Sequence, residues 1–295
     1  MKTYTFGFIC ALLNMVVYGL MPVGAKYLMD GFDPLLFAGV ASCIGAVPFW
    51  GHSYSRGVGH LLWGGRFARP LFYVVILTAI ANGLFFVGLH FTTAMNAGLL
   101  EQIEPVYAAL LSVLFLGERI SRLQMIATSC MVLGALSVAY QGYAGFNPGD
   151  LMILSAPLLF QIAHLIAKRI LPDLPQVFIL PAVRLMYGGL LMIAVALCID
   201  PVSFASLLDP QLWVCAGVFG LFFRTLDLGL WYQALRYVPL SVVSALLPIG
   251  AGVGFFAAIL FLGEVPFPHH YIGIALIALG LILLSRVKQK AAELC

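Results

Sequence analysis

Ten apolar runs, each about as long as a bilayer is thick, follow one another along the chain with little between them. A helix needs about 20 apolar residues to cross the hydrocarbon. The runs cover 5–28, 33–51, 70–90, 94–116, 123–141, 149–171, 176–198, 211–233, 239–262 and 269–286, and are numbered here as spans 1 to 10. Charged residues make up only 9% of the chain, against about 25% in a soluble domain, so a water-facing surface is out of reach. Barrel strands alternate apolar and polar residues in short segments, which these runs do not. The longest connection, 52–69, carries Arg56, Arg66 and Arg69 and is too short for a separate soluble domain. The expected fold is an all-α membrane protein.

The placement of charge supports the count of ten. If the chain starts inside, the inner side receives Lys2, Arg56, Arg66, Arg69, Arg119, Arg122, Lys168, Arg169, Arg236, Arg286, Lys288 and Lys290. The outer side receives only Lys26 among the lysines and arginines of the connections, with Asp30, Asp33, Asp150, Asp200, Asp209 and Glu264. The positive-inside rule then places both termini in the cytoplasm. Lys2, an apolar stretch and Val23-Gly24-Ala25 imitate a signal peptide, but removing them would leave nine spans, so they are read as span 1. Cys10, Cys43, Cys130, Cys198 and Cys215 fall inside apolar runs and read as small buried hydrophobes.

One phrase occurs twice, as Phe115-Leu116-Gly117-Glu118 and Phe261-Leu262-Gly263-Glu264, 146 positions apart in a chain of 295. Each copy closes one apolar run and precedes another. The chain thus divides into two five-span repeats, 1–146 and 147–295. Five is odd, so the second repeat enters from the opposite face and is inverted relative to the first, an arrangement common among transporters.

The stretch from Gly98 to Ser121, with Glu104-Pro105 and Phe-Leu-Gly-Glu-Arg-Ile-Ser, resembles the signature of the drug/metabolite transporter superfamily, and most of all its EamA-type bacterial exporters. The resemblance covers nearly the whole chain. It implies ten helices in two inverted repeats around a central cavity lined by spans 1, 3, 4, 6, 8 and 9, in the bacterial inner membrane, and export of small metabolites such as amino acids. The second repeat departs from the pattern: Val265-Pro266-Phe267 follows Glu264, and Pro248 of span 9 has no acidic neighbour to match Glu104. The two halves are therefore expected to be inequivalent at the site.

A charge at the bilayer centre costs about 2.5–3.5 kcal/mol on insertion scales, so each one requires a reason. Span 4 holds Glu101, Gln102, Glu104 and Pro105. Glu101 and Glu104, three apart, share a helix face, and Pro105 frees the carbonyl one turn before it. This predicts a bent polar segment near the midplane. Either a carboxyl group there loads and unloads a proton during transport, or it makes a structural hydrogen bond to a neighbouring helix. Span 8 holds Arg224 and Asp227, also three apart. A guanidinium binds carboxylates in fork geometry, so Arg224 either holds the acid end of an amino-acid substrate, with Glu101 or Glu104 facing the amine, or pairs internally with Asp227. Arg184 of span 7 is close enough to the inner end to snorkel there.

Asn14 and Tyr18 of span 1, Asn82 of span 3, and Gln161 and His164 of span 6 all fall on spans that the resemblance assigns to the cavity. Singly each fits interhelical hydrogen bonding; together they fit a hydrated path. His164 is a second candidate proton carrier beside the two glutamates. Tyr107 and Trp231 are candidates to pack on an apolar part of the substrate. Spans 2, 5 and 10 lack central ionisable groups and are expected to face lipid. Gly250 and Gly254 form a small-xxx-small pair on span 9.

No zinc-protease, nucleophile-elbow, phosphate-loop or dinucleotide motif is present. The expected protein is a secondary transporter rather than an enzyme, working by alternating access, proton-coupled or as a passive facilitator. It needs no cofactor or metal, and its partners are a small-molecule substrate, membrane lipid and protons, not nucleic acid. The rival is an intramembrane enzyme acting on a lipid-linked substrate, against which stand the repeat and the short loops.

Overall fold

The computed structural model describes residues 2–63, 65–116, 121–140, 146–201, 203–238, 242–243 and 246–293. Glu118 of the first Leu-Gly-Glu copy lies outside them. The spans appear as helices α1 (Lys2–Leu28), α2 (Pro34–Ser55), α3 (Ala68–Phe91), α5 (Arg122–Ala139), α6 (Pro148–Ile170), α7 (Ile179–Ile199), α9 (Leu247–Leu262) and α10 (Pro268–Glu293). Two more are interrupted. Helix α4 runs as Ala94–Leu100, a 3-10 turn Glu101–Ile103, and Glu104–Leu116. Helix α8 runs as Pro210–Phe219, a π-helical segment Gly220–Leu226, and Asp227–Tyr237. Among the described residues nine helices are long and apolar enough to cross a membrane. The tenth, α9, has 16 residues, about 24 Å at 1.5 Å per residue, which is shorter than its apolar run suggests.

Local chemistry sets the ends. Asp33 with Pro34, and Asp209 with Pro210, start α2 and α8, each aspartate accepting a backbone N–H of the first turn. Thr93 and Ser121 do the same for α4 and α5. Gly263 stops α9 in the left-handed conformation, at φ 65°, and the Glu264 N–H turns back to the Ala258 carbonyl, 3.2 Å away. The glycine of the repeated phrase is thus the helix stop that redirects Glu264.

Helices that correspond under the repeat pack on each other in opposite directions. On α2 and α7, Gly39 lies against Ile193 and Gly189, Cys43 against Gly189, and Trp50 donates to the Ala182 carbonyl at 3.0 Å. Rising numbers on one helix meet falling numbers on the other. Helices α5 and α10 do likewise: Met131 meets Gly280, Gly134 meets Ile277, and Val138 meets Gly273. Equivalent helices running antiparallel are what an inverted repeat requires. The remaining close pairs also exchange under the repeat, α3 on α6 with α8 on α1, and α1 on α9 with α6 on α4.

Burial corrects one expectation. Span 2 was expected to face lipid, yet α2 is among the most buried helices, with Leu36, Phe37, Ala38 and Ala41 fully enclosed. It packs on α7 and α8 through glycine, so its lack of charge reflects close helix contact. Gly250 and Gly254 of α9 lie against the backbone of Gly19 on α1, as the small-residue spacing implied.

A Cβ on Gly189 would come 2.7 Å from the Gly39 carbonyl oxygen, whereas one on Gly252 would meet nothing within 4 Å. Gly189→Leu is therefore expected to destabilise the protein by about 1–3 kcal/mol or more, read as a lower melting temperature in detergent. Gly252→Leu should leave it near that of the parent, and equal effects would contradict this packing.

Candidate functional site

The interrupted helices bring the ionisable groups to mid-depth. Glu101 and Gln102 lie in the 3-10 turn of α4, and Glu104 opens its second half beside Pro105, which has no N–H to give. Arg224 lies within the π-helical segment of α8 and Asp227 immediately after it. The Thr225 hydroxyl donates to the Gly45 carbonyl of α2 at 2.8 Å and to the Gly220 carbonyl five residues back at 3.3 Å, which holds the bulge.

Side chains from five helices meet here. Asn14 of α1 donates to the Asp227 carboxylate at 2.8 Å and to its carbonyl at 2.9 Å. Arg224 donates to Asn82 Oδ1 of α3 at 2.7 Å. Its guanidinium carbon lies 5.4 Å from the Phe86 ring and 5.6 Å from Phe219, a cation held against aromatic faces. Its Nε has no hydrogen-bond partner among the described residues. Gln161 of α6 donates to Glu104 of α4, and His164 Nδ1 is 3.8 Å from the same carboxylate. Tyr18, Glu101, Glu104 and Asp227 lie within electrostatic reach of one another. Nine of the eleven residues singled out from the sequence thus share one polar centre.

The other two do not join it. The Tyr107 hydroxyl donates to the Leu154 carbonyl at 2.9 Å and ties α4 to α6. Trp231 packs on the apolar cluster of Cys10, Ala11, Met15 and Ala234 between α1 and α8. One residue was misplaced by sequence reasoning. Arg184, expected to reach the membrane surface, is half-buried, and its charge acts on His164, Arg224, Asp227 and Tyr232. Gly188, one turn on, lies against Ala79 of α3, so that face of α7 looks into the bundle. The signal was available: three central carboxyl groups call for more than one cation.

Exposure is uneven around this centre. Along α4, residues 94–103 are all buried except Gly98, whereas 104–115 are mostly half-buried or exposed. The Glu104 and His164 side chains keep 37% and 45% of their surface. The centre is therefore enclosed toward the α4 N-terminus, and Glu104 and His164 keep part of their surface toward its C-terminus, the face that holds both chain ends. Among the described residues no group of three His, Cys, Asp or Glu is placed to hold a metal ion.

The sequence profile of the EamA-like transporter family matches residues 5–140 and again 147–286. The chain belongs to that family. It is a multi-pass membrane transporter, with a small-molecule substrate and a lipid surround. An uncharacterized transporter of Synechocystis sp. is 25% identical, over 95% of this chain and 86% of that relative. A probable terminal-alkyne amino-acid exporter of Streptantibioticus cattleyicolor is 27% identical, over 65% of this chain and 64% of its own length. A solved crystal structure superposes over 98% of both chains with a TM-score of 0.62 at 17% identity, a likeness of fold.

Asn82→Leu removes the side-chain oxygen to which Arg224 donates among the described residues, and an unpaired buried charge group costs several times what a neutral hydrogen bond does. It is expected to lower the melting temperature well beyond Tyr107→Phe, whose lost bond is worth about 1 kcal/mol. Similar shifts for the two would place Arg224 in water rather than against Asn82.

Proposed function

We propose that this transporter exports small zwitterionic or amphipathic metabolites, amino acids first among them, across the bacterial inner membrane by alternating access in exchange for protons. The observation that carries the reading is the meeting of Asn14, Asn82, Glu101, Glu104, Gln161, His164, Arg224 and Asp227 from helices of both repeats at mid-depth. Arg224, whose Nε has no hydrogen-bond partner among the described residues, offers its guanidinium to a substrate carboxylate. Glu101 and Glu104 receive either the substrate amine or a proton, and His164, whose Nδ1 lies 3.8 Å from the Glu104 carboxylate, shares the proton with it. Tyr18 borders both groups and lies against Gly250 of α9. Arg184 balances part of the carboxylate charge, which leaves a centre suited to a substrate with both signs.

The relative whose name carries an amino-acid exporter supports the substrate class. The repeats 1–146 and 147–295 serve as the two bodies that exchange conformations. The Arg-rich connections support cytoplasmic termini, and with that orientation the more exposed side of the centre faces the cytoplasm and the enclosed side faces outward.

The test is counterflow of labelled amino acids in liposomes, with and without a pH gradient. Uphill movement should follow the gradient in the parent. Glu104→Gln should keep exchange and lose at least tenfold of the gradient-driven component. Arg224→Ala should lose amino-acid uptake while sparing amines that lack a carboxylate. Gradient-driven transport that survives Glu104→Gln unchanged removes the proton role, and no counterflow of any amino acid removes the substrate class.

A further inference from the structure

The enclosed side of the centre is held by a second polar network, separate from the groups assigned above. At the face opposite the chain ends, the Glu264 carboxylate of the α9–α10 connection accepts the first two amides of α4. Ala94 N–H reaches Oε1 at 2.7 Å and Met95 N–H reaches Oε2 at 2.8 Å. A carboxylate there satisfies two N–H groups the helix cannot pair itself and complements the helix dipole. Lys26 of α1 caps the neighbouring end of α3, donating to the Leu89 and Thr92 carbonyls at 2.7 Å each and to His90 at 3.3 Å. It also feels the charge of Glu264.

Three residues on from Glu264, the connection is pinned again. The Phe267 N–H donates to His270 Nδ1 at 2.8 Å. That nitrogen therefore carries no proton, and Nε2–H donates to Asn96 Oδ1 of α4, also at 2.8 Å. The Asn96 amide in turn donates to both oxygens of Asp150 on α6, at 3.2 and 3.1 Å, and Asp150 accepts the Thr92 hydroxyl as well. Asn96, Asp150 and His270 are all buried, at 3%, 0% and 6% exposure. Every atom in this chain has a fixed role as donor or acceptor only while the imidazole is neutral. A second proton must enter at Nδ1, where it would face the Phe267 N–H and break that bond.

The charged and titratable neighbours are few. His269 of α10 lies beside His270, with ring centroids 4.2 Å apart and ring planes tilted by 41°. Asp150 of α6 joins His270 through Asn96, and Glu264 lies three residues before Phe267 in the connection; Lys26 of α1 feels the charge of Glu264 and donates to the His90 carbonyl at the end of α3. Both carboxylates already hold two or more donors from α3 and α4, so neither is free to follow an imidazolium without releasing those ends.

We propose that Glu264 and His270 form a proton-operated latch that holds the α4 N-terminus against the α9–α10 connection and opens when His270 takes up a proton. The latch rests on the carrier reading for its purpose: an acidic outer side would release the outward gate and so tie substrate release to the side where protons are abundant. Protonation frees the Phe267 amide, loosens the connection that carries Glu264, and withdraws the cap from α4.

The test reads opening without reading transport. Spin labels on Val265→Cys and Leu151→Cys, both exposed positions across the latch, are placed in a chain whose six native cysteines are replaced by alanine or serine. Pulsed electron resonance in lipid nanodiscs then gives their separation. Lowering the pH through and below the range of a free histidine, from about 8 to about 4, so that a buried imidazole is also reached, should shift the population to a separation longer by several ångströms. Glu264→Ala should show the longer separation at both ends of the range. His270→Phe, which cannot be protonated, should show no pH response. A separation that ignores pH in the His270 protein, or that responds equally in His270→Phe, overturns the latch. A latch that opens in a protein with no counterflow overturns the carrier reading alone, and counterflow with a static latch overturns the latch alone.

Discussion

A guanidinium in the middle of a bilayer must bring its own solvation, and Arg224 does so from three helices. Asn82 supplies an oxygen from α3, Phe86 and Phe219 supply aromatic faces, and Asp227 and Glu101 supply opposite charge. Hydrocarbon offers none of these, and the expense of exposing the charge there is several kcal/mol. That demand draws α3, α4 and α8 to one point. The Asn14 pair with Asp227 adds α1, and the Gln161 pair with Glu104 adds α6. The polar centre is therefore a structural knot as well as the proposed transport site.

Side chains of this size can converge only if the backbones around them are close. Glycine contacts at α2 on α7, α5 on α10 and α1 on α9 draw carbonyls to within van der Waals range of the partner helix. The irregular turns complete the geometry. The 3-10 turn before Pro105 and the π-helical segment around Arg224 each leave the regular ladder where a functional side chain must be aimed inward. They do not correspond under the repeat, so a symmetric scaffold carries an asymmetric site. Glu264 shows a different use of the repeated phrase: its glycine ends α9 and its carboxylate closes α4.

Much of this was legible in the chain. Span length, the inverted order of two five-span repeats and the Glu-Pro break follow from bilayer thickness, odd parity and the missing proline N–H. The polar residues of these spans meet one another inside the bundle, because lipid offers them no partner. The pairings were not legible. Asn14 with Asp227 and Asn82 with Arg224 depend on where helices far apart in sequence cross, and periodicity within one helix carries no such information. The same gap explains α2, whose apolar sequence fits lipid and close protein packing equally, and Arg184, whose long stem could have served either surface or centre. Nor was the Tyr107 hydroxyl legible, which donates to the Leu154 carbonyl of the neighbouring helix.

The central claim is that water reaches the meeting point of Glu104, His164, Tyr18 and Arg224. Hydroxyl-radical footprinting of the protein in nanodiscs, read residue by residue by mass spectrometry, tests it most directly, because the radicals form in water. Tyr18 and His164 should be modified at rates approaching that of Tyr54, an exposed residue, while Phe86 and Phe219 behind the guanidinium stay unmodified. Protection of Tyr18 and His164 equal to that of Phe86 would mean a dry, packed interior, and would contradict a chamber at this site.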